Sequence, residues 1–171
     1  KELLNDIQGG YKKILSELPF ALPEELNIRG GKISKGENYK GLPYLLLDYP
    51  GYFEKENIFA FRTMFWWGRF FSVTLHLSGK YKQRYGSRIE KKIRENSYSD
   101  YFISIADDQW QHGFEADNYK AVNELAAADI GDNLRQNSFV KVACKLPVAQ
   151  WNNAQEFCTN GFINLLKILQ D

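Results

Sequence analysis

The stretch Phe59–Gly79, FAFRTMFWWGRFFSVTLHLSG, decides the fold because its pattern can be split by face. Side chains on a β-strand point alternately to its two sides. From Phe71 onward the odd positions are Phe71, Val73, Leu75 and Leu77, and the even ones are Ser72, Thr74, His76 and Ser78. That alternation marks a half-buried strand with an odd-numbered core face. In the first half the odd positions are Phe59, Phe61, Thr63 and Phe65, and the even ones run Ile58, Ala60, Arg62, Met64, Trp66. With Gly68 between them, the halves read as two long strands of one hairpin.

Matching faces sets the register. A two-residue turn at Trp67 and Gly68 would place Phe61 opposite Thr74 and Phe59 opposite His76, mixing core with polar groups, which a half-buried sheet selects against. A three-residue loop, Trp67-Gly68-Arg69, keeps odd with odd and places Phe65 opposite Phe71, Phe61 opposite Leu75 and Phe59 opposite Leu77. Loops of this length accept a Gly in the left-handed region. The same register puts Arg62 opposite Thr74 and His76 opposite Ala60. Arg62 and His76 become diagonal neighbours, roughly 7–8 Å apart at the backbone. Ser72 and Ser78 extend this polar row, and Met64, Trp66 and Phe70 make it amphipathic toward the turn.

Convergent polar groups beside aromatic walls are what a ligand site needs. The candidate binding residues are therefore Arg62, Thr74 and His76 on the non-core face, with Trp66, Trp67 and Arg69 at the hairpin tip. The competing structural reading is a half-solvated face on which Arg62 pairs a carboxylate such as Asp48 of the adjacent strand.

Outward from the hairpin, helical spacing of Leu3, Leu4, Ile7, Tyr11, Ile14, Leu15 and Leu18 predicts a first helix, ended by Pro19 and Pro23. Gly9 and Gly10 are expected to split or kink it. Leu26 to Ser34 reads as a strand, Lys35 to Gly41 as a polar loop, and Leu42 to Tyr49 as a buried strand, with a turn from Pro50 to Lys55. Ser87 and Glu90 have capping-box spacing and predict a helix start there. Tyr101 to Ala106 reads as a strand. Asp117 is placed to cap a helix carrying Tyr119, Val122, Leu125 and Ala126, with Gly131 closing it. Phe139 to Leu146 is a strand closed by Pro147. Trp151, Ala154, Cys158, Phe162, Leu165 and Leu169 share one face of a long C-terminal helix. The predicted fold is α+β: one domain over 1–171, a mainly antiparallel sheet of about six strands, and helices packed on one face.

A chain of 171 residues can bury a core without a staple. A net charge of +1 argues against a polyanion binder on charge alone. Cys144 and Cys158 fall on apolar faces and read as reduced core residues. No run is long and apolar enough for a transmembrane helix. No signal-peptide pattern is visible, and the expected location is cytoplasmic; Lys1 rather than Met opens the chain, which leaves a cleaved leader compatible.

Three further motifs compete for attention. The segment 80–94 interleaves Lys and Arg with Tyr81 and Tyr85, as a nucleic-acid surface does, but the acidic stretch from Asp100 to Arg135 and the look of a solvated helix face disfavour that role. The loop RGGKISKG, Arg29 to Gly36, resembles a phosphate cradle but fails the P-loop spacing and reads as a bulge or turn. Asp107, Asp108 and His112 around Trp110 match no metal spacing, so no metal or other cofactor is expected.

Two functional classes fit these residues. One is a binding module for a small ligand or a protein partner, a second copy of the chain included, using the non-core face and tip of the hairpin. The other is an enzyme with His76 as acid/base and Arg62 as anion clamp. Nucleic-acid binding through 80–94 ranks third.

Overall fold

The structure is a computed structural model that describes residues 1–18, 21–28 and 30–170. Pro19, expected to stop the first helix, and Arg29, which opens RGGKISKG, lie outside the described residues. Among the described residues the chain forms one antiparallel sheet of seven strands with four α-helices, an α+β architecture as the patterning implied. The strands are β1 (Lys32–Tyr39), β2 (Leu42–Phe53), β3 (Ile58–Trp66), β4 (Phe70–Ser78), β5 (Phe102–Ser104), β6 (Tyr119–Ala121) and β7 (Phe139–Pro147). The helices are α1 (Glu2–Ser16), α2 (Gly79–Ile93), α3 (Ala127–Gln136) and α4 (Ala154–Ile168). Sheet order is β1-β2-β3-β4-β7-β5-β6, so the last strand in the chain inserts beside the hairpin.

The β3–β4 register is the one that matching faces requires. Phe65 pairs with Phe71, Phe61 with Leu75, Phe59 with Leu77, Arg62 with Thr74 and Ala60 with His76. The tip is the three-residue loop Trp67-Gly68-Arg69, with Gly68 at φ +68°. The odd face meets the helices. Tyr11 of α1 stacks on Phe162 of α4 with ring centroids 3.9 Å apart, and Phe162 meets Phe61 of β3 edge-on at 4.8 Å. The Tyr11 hydroxyl bonds Thr63 Oγ1 at 2.9 Å and donates to the Cys158 carbonyl at 3.1 Å, so these two buried hydroxyls are satisfied. Gly161 lets α4 approach the sheet: a Cβ there would sit 2.8 Å from Cys144 Sγ. Cys144 and Cys158 are free and buried, as the apolar periodicity predicts.

Several boundaries differ from expectation, each for a physical reason. Helix α1 runs unbroken through Gly9 and Gly10, because Leu4, Ile7 and Tyr11 anchor it to the core. Residues 24–28 form a 3₁₀ turn rather than a strand. The expected polar loop Lys35 to Gly41 is instead the body of β1, an edge strand whose exposed side tolerates polar residues. The β1–β2 turn is two residues, Lys40 and Gly41, both at positive φ. Strand β2 continues past Pro50 to Phe53 through a register shift between Asp48 and Gly51, where a missing N–H costs the ladder nothing. Helix α2 starts at Gly79, eight residues before Ser87. Tyr81, Tyr85, Ile89 and Ile93 form its buried stripe, a stronger determinant than the Ser87–Glu90 spacing. The helix expected after Asp117 is β6 and a 3₁₀ turn, because Tyr119 pairs with Ser104 of β5; the following helix, α3, contains Gly131 rather than ending at it. Trp151 lies in a 3₁₀ segment ahead of α4 and is 61 % exposed, not on the buried helical face.

Candidate functional site

The even face of the hairpin is not half solvated. It is covered by an irregular strap, residues 107–113, that lies across β3, β4 and β7. His76 is 2 % exposed and Thr74 is buried. Register places Lys141 of β7 directly opposite His76. Arg62 makes a two-point ion pair with Asp48 of β2, Nε to Oδ1 at 2.7 Å and Nη2 to Oδ2 at 3.0 Å, which is the structural pairing expected for it. Trp110 of the strap roofs both candidates. Its ring lies 6.0 Å from the Arg62 guanidinium carbon and meets the His76 ring edge-on at 5.6 Å.

The strap is held by side chains of the sheet. His76 Nε2 donates to the Gln109 carboxamide oxygen at 2.9 Å. Lys141 Nζ donates to the main-chain carbonyls of Gln109 and Gln111. The Tyr39 hydroxyl accepts from the amides of His112 and Gly113 at 2.9 and 3.0 Å. Arg62, His76, His112 and Lys141 thus converge on one cavity, together with Ser72, Thr74 and Tyr119. Its volume is about 10 Å³, roughly the room of a single water.

Burial and mutual repulsion set the protonation of this cluster. Burial, reinforced by the charge of Lys141, pulls His76 down to about 3. Burial, then Arg62 and Lys141, pulls His112 down to about 3. Burial and Arg62 bring the Lys141 ammonium down to about 7, with Asp108 opposing. At neutral pH both imidazoles are uncharged bases, and the lysine is poised between its two forms.

The tip residues separate. Trp66 is 3 % exposed and packs on Tyr39 and Phe70, so it belongs to the interior rather than to an open tip; its indole N–H is buried without a partner. Arg69 is exposed and lies 5.5 Å over the Trp66 ring. Trp67 is 57 % exposed and stands against Phe65. With Trp151 it flanks an apolar groove of about 460 Å³ lined also by Leu3, Leu45, Phe65, Phe71 and Val148.

The structure therefore brings together Arg62, Thr74 and His76, and separates them from Trp67 and Arg69. Lys141, Gln109 and Trp151 join the candidate residues. Lys141 carried a signal, since Val140, Val142, Cys144 and Leu146 define a core face and leave Lys141 on the other. Asp107 and Asp108 are exposed while His112 turns inward, so the D-D-x-x-x-H set does not converge. Among the described residues no group of three His, Cys, Asp or Glu could hold a metal ion, and no helix is long and apolar enough to cross a membrane. In the basic segment Tyr81 and Tyr85 are buried, and Lys80, Lys92 and Arg94 pair with Glu25, Glu95 and Glu90, which leaves no aromatic there to stack on a base. No protein-family model, no curated protein and no solved structure matches the chain.

Proposed function

We propose that the chain is a binding module that takes an apolar, aromatic-bearing segment of a protein partner into the groove beside the hairpin tip. The observation that carries this reading is the pair of open indoles, Trp67 and Trp151, on either side of an apolar groove of about 460 Å³. Isolated exposed hydrophobics are ordinary, but two Trp residues flanking a concave apolar surface have the composition of an interface hot spot.

The test is selection of displayed peptides on the intact chain, followed by binding of the selected peptides to Trp67→Ala and Trp151→Ala. The expected result is loss of binding in both variants with melting temperature unchanged. A large fall in melting temperature would make the indoles structural and sink the reading. A concentration-dependent dimer in wild-type protein, absent from both variants, would replace the foreign partner by a second copy of the chain.

A second reading, an enzyme using His76 as acid/base and Arg62 as anion clamp, is favoured by the shared chamber of Arg62, His76, His112 and Lys141. It requires the strap to move, because the closed chamber holds no substrate.

A further inference from the structure

We infer that the chamber beneath residues 107–113 is a binding site for a small oxyanion, phosphate in its chemistry, and that the strap is its built-in occupant. This goes beyond the groove reading and does not rest on it. Three strap oxygens fill acceptor positions facing the sheet: the Gln109 side-chain oxygen, 2.9 Å from His76 Nε2, and the carbonyls of Gln109 and Gln111 on Lys141 Nζ. Two donors on adjacent strands thus converge on three oxygens, the arrangement a tetrahedral anion presents with full rather than partial charge. Charge-assisted hydrogen bonds are roughly twice as strong as neutral ones.

The charge balance of the chamber favours such an exchange. Arg62, Lys141 and two imidazoles face the cavity, while Asp48 is committed to Arg62 and Asp108 is exposed on the strap. Burial first, and then repulsion from the Arg62 and Lys141 charges, lowers the proton affinity of His76 and His112; burial and Arg62 do the same for Lys141, and an anion at their centre offsets that repulsion.

The strap is built to yield in its middle. A cavity of about 10 Å³ admits no oxyanion, so 109–111 must lift. Among the described residues, the bonds within 107–113 are local to one turn, Gln111 N–H to the Asp108 carbonyl at 3.4 Å and Trp110 N–H to the Asp108 carboxylate at 2.9 Å, so they can move with it. The flanks are tied down elsewhere, by Tyr39 on the amides of His112 and Gly113, and by Ile105 donating to the Asn118 carbonyl at 2.8 Å. Lifting the middle strips the hydrogen bonds from His76 and Lys141 and leaves both donors facing the opened site.

The chain has two histidines, and both line this chamber, so imidazole nitrogen–proton NMR spectra report on it alone. Inorganic phosphate is titrated into the intact chain at constant pH and ionic strength, with chloride as the matched control. Both imidazole spin systems are expected to shift and saturate with phosphate and not with chloride. Lys141→Met is expected to weaken phosphate by about tenfold, the scale of one hydrogen bond to a charged group. Gln109→Ala removes one strap oxygen and leaves every basic group in place, so it is expected to tighten phosphate by about threefold or more. The inference is overturned if neither imidazole moves in wild-type or Gln109→Ala protein, or if chloride gives the same shift. It is equally overturned if phosphate binds the wild type and Gln109→Ala gains nothing, and that comparison stands should Lys141→Met fail to fold.

Discussion

The two faces of the β3–β4 hairpin reach the same depth of burial by opposite means. On the helix side Val73, Leu75 and Leu77 are 0 % exposed, covered by aromatic and aliphatic contact from α1, α2 and α4. On the strap side Ser72 and His76 are 3 % and 2 % exposed, covered by a segment with no regular structure. Apolar burial is indifferent to protonation and needs only shape. Polar burial holds only while each donor has its acceptor and each charge its partner. The first face is thus a foundation, and the second is a closure whose strength depends on conditions.

The largest expected effect tests the foundation. Phe61→Ala removes the ring wedged against Phe162 and Phe59, and should cost about 3–5 kcal/mol in urea unfolding. That cost should be the same at pH 5 and pH 8. A pH-dependent cost would break the distinction between the faces. Next comes Asp48→Asn, which leaves Arg62 partly buried without its counter-charge, and should cost about 3 kcal/mol. Adding Arg62→Met should recover most of that loss, since an apolar pair of similar size needs no partner. Failure of the double variant to recover would mean that the ion pair also orders Trp110 above it.

This contrast also explains what could be read from the sequence. The helix face is periodic in every element that builds it, so the β3–β4 register followed from matching Phe61 with Leu75 and rejecting Thr74. The Arg62–Asp48 pair was foreseeable as a structural alternative, because both residues lie on neighbouring strands. The strap was not, because 107–113 carries no period and most of its bonds join sheet side chains to strap main-chain carbonyls and amides, which leave no compositional trace. Lys141 could be assigned to a face but not to a neighbour, since strand order depends on where β7 inserts. Tyr81 and Tyr85 had the spacing of a buried stripe, but the adjacent Lys and Arg residues drew the reading toward a surface. Trp151 followed the helical period of α4 and yet precedes the helix, as residues beside a helix end often do.

Acidification should separate the faces without mutation. His76 faces Arg62 of β3, Lys141 of β7, and Gln109 and His112 of the strap, while Asp48 of β2 is tied to Arg62, Asp108 lies near Lys141, and Tyr119 of β6 closes the cavity. Both histidines sit at about 3 in the closed chamber against an ordinary 6.5. The open or unfolded form therefore binds more protons between those values, and closure rises with pH across that window. The stabilisation is fully present above pH 6.5 and is lost as pH falls toward 3. Lys141, at about 7 against an ordinary 10.5, adds a further gain as pH rises from 7 to 10.5. The loss in acid is capped by the free energy of lifting the strap, because an open strap solvates both imidazoles while the sheet stays folded. Between pH 6.5 and 4, strap amides should exchange faster and Trp110 emission should move to the red, with α4 amides unchanged. Equal acceleration in α4 would show global unfolding and no separate closure.

The smallest expected effect isolates one hinge of that closure. The Tyr39 hydroxyl accepts two strap amides, His112 and Gly113, and no charge is involved. Tyr39→Phe keeps the ring, its edge contact with Trp66 at 5.0 Å and its place in β1, and deletes the acceptor alone. Two amide hydrogens lose their partner, yet the strap edge can rotate them toward water, so the cost should be about 1 kcal/mol rather than the full penalty for burial. Hydrogen exchange at His112 and Gly113 should rise about tenfold or less, while exchange in β4 and α4 stays at wild-type rates. If β4 exchange rises with it, the strap and the sheet open as one unit. The polar face would then be a part of the foundation, with no independent gate for an anion to pass.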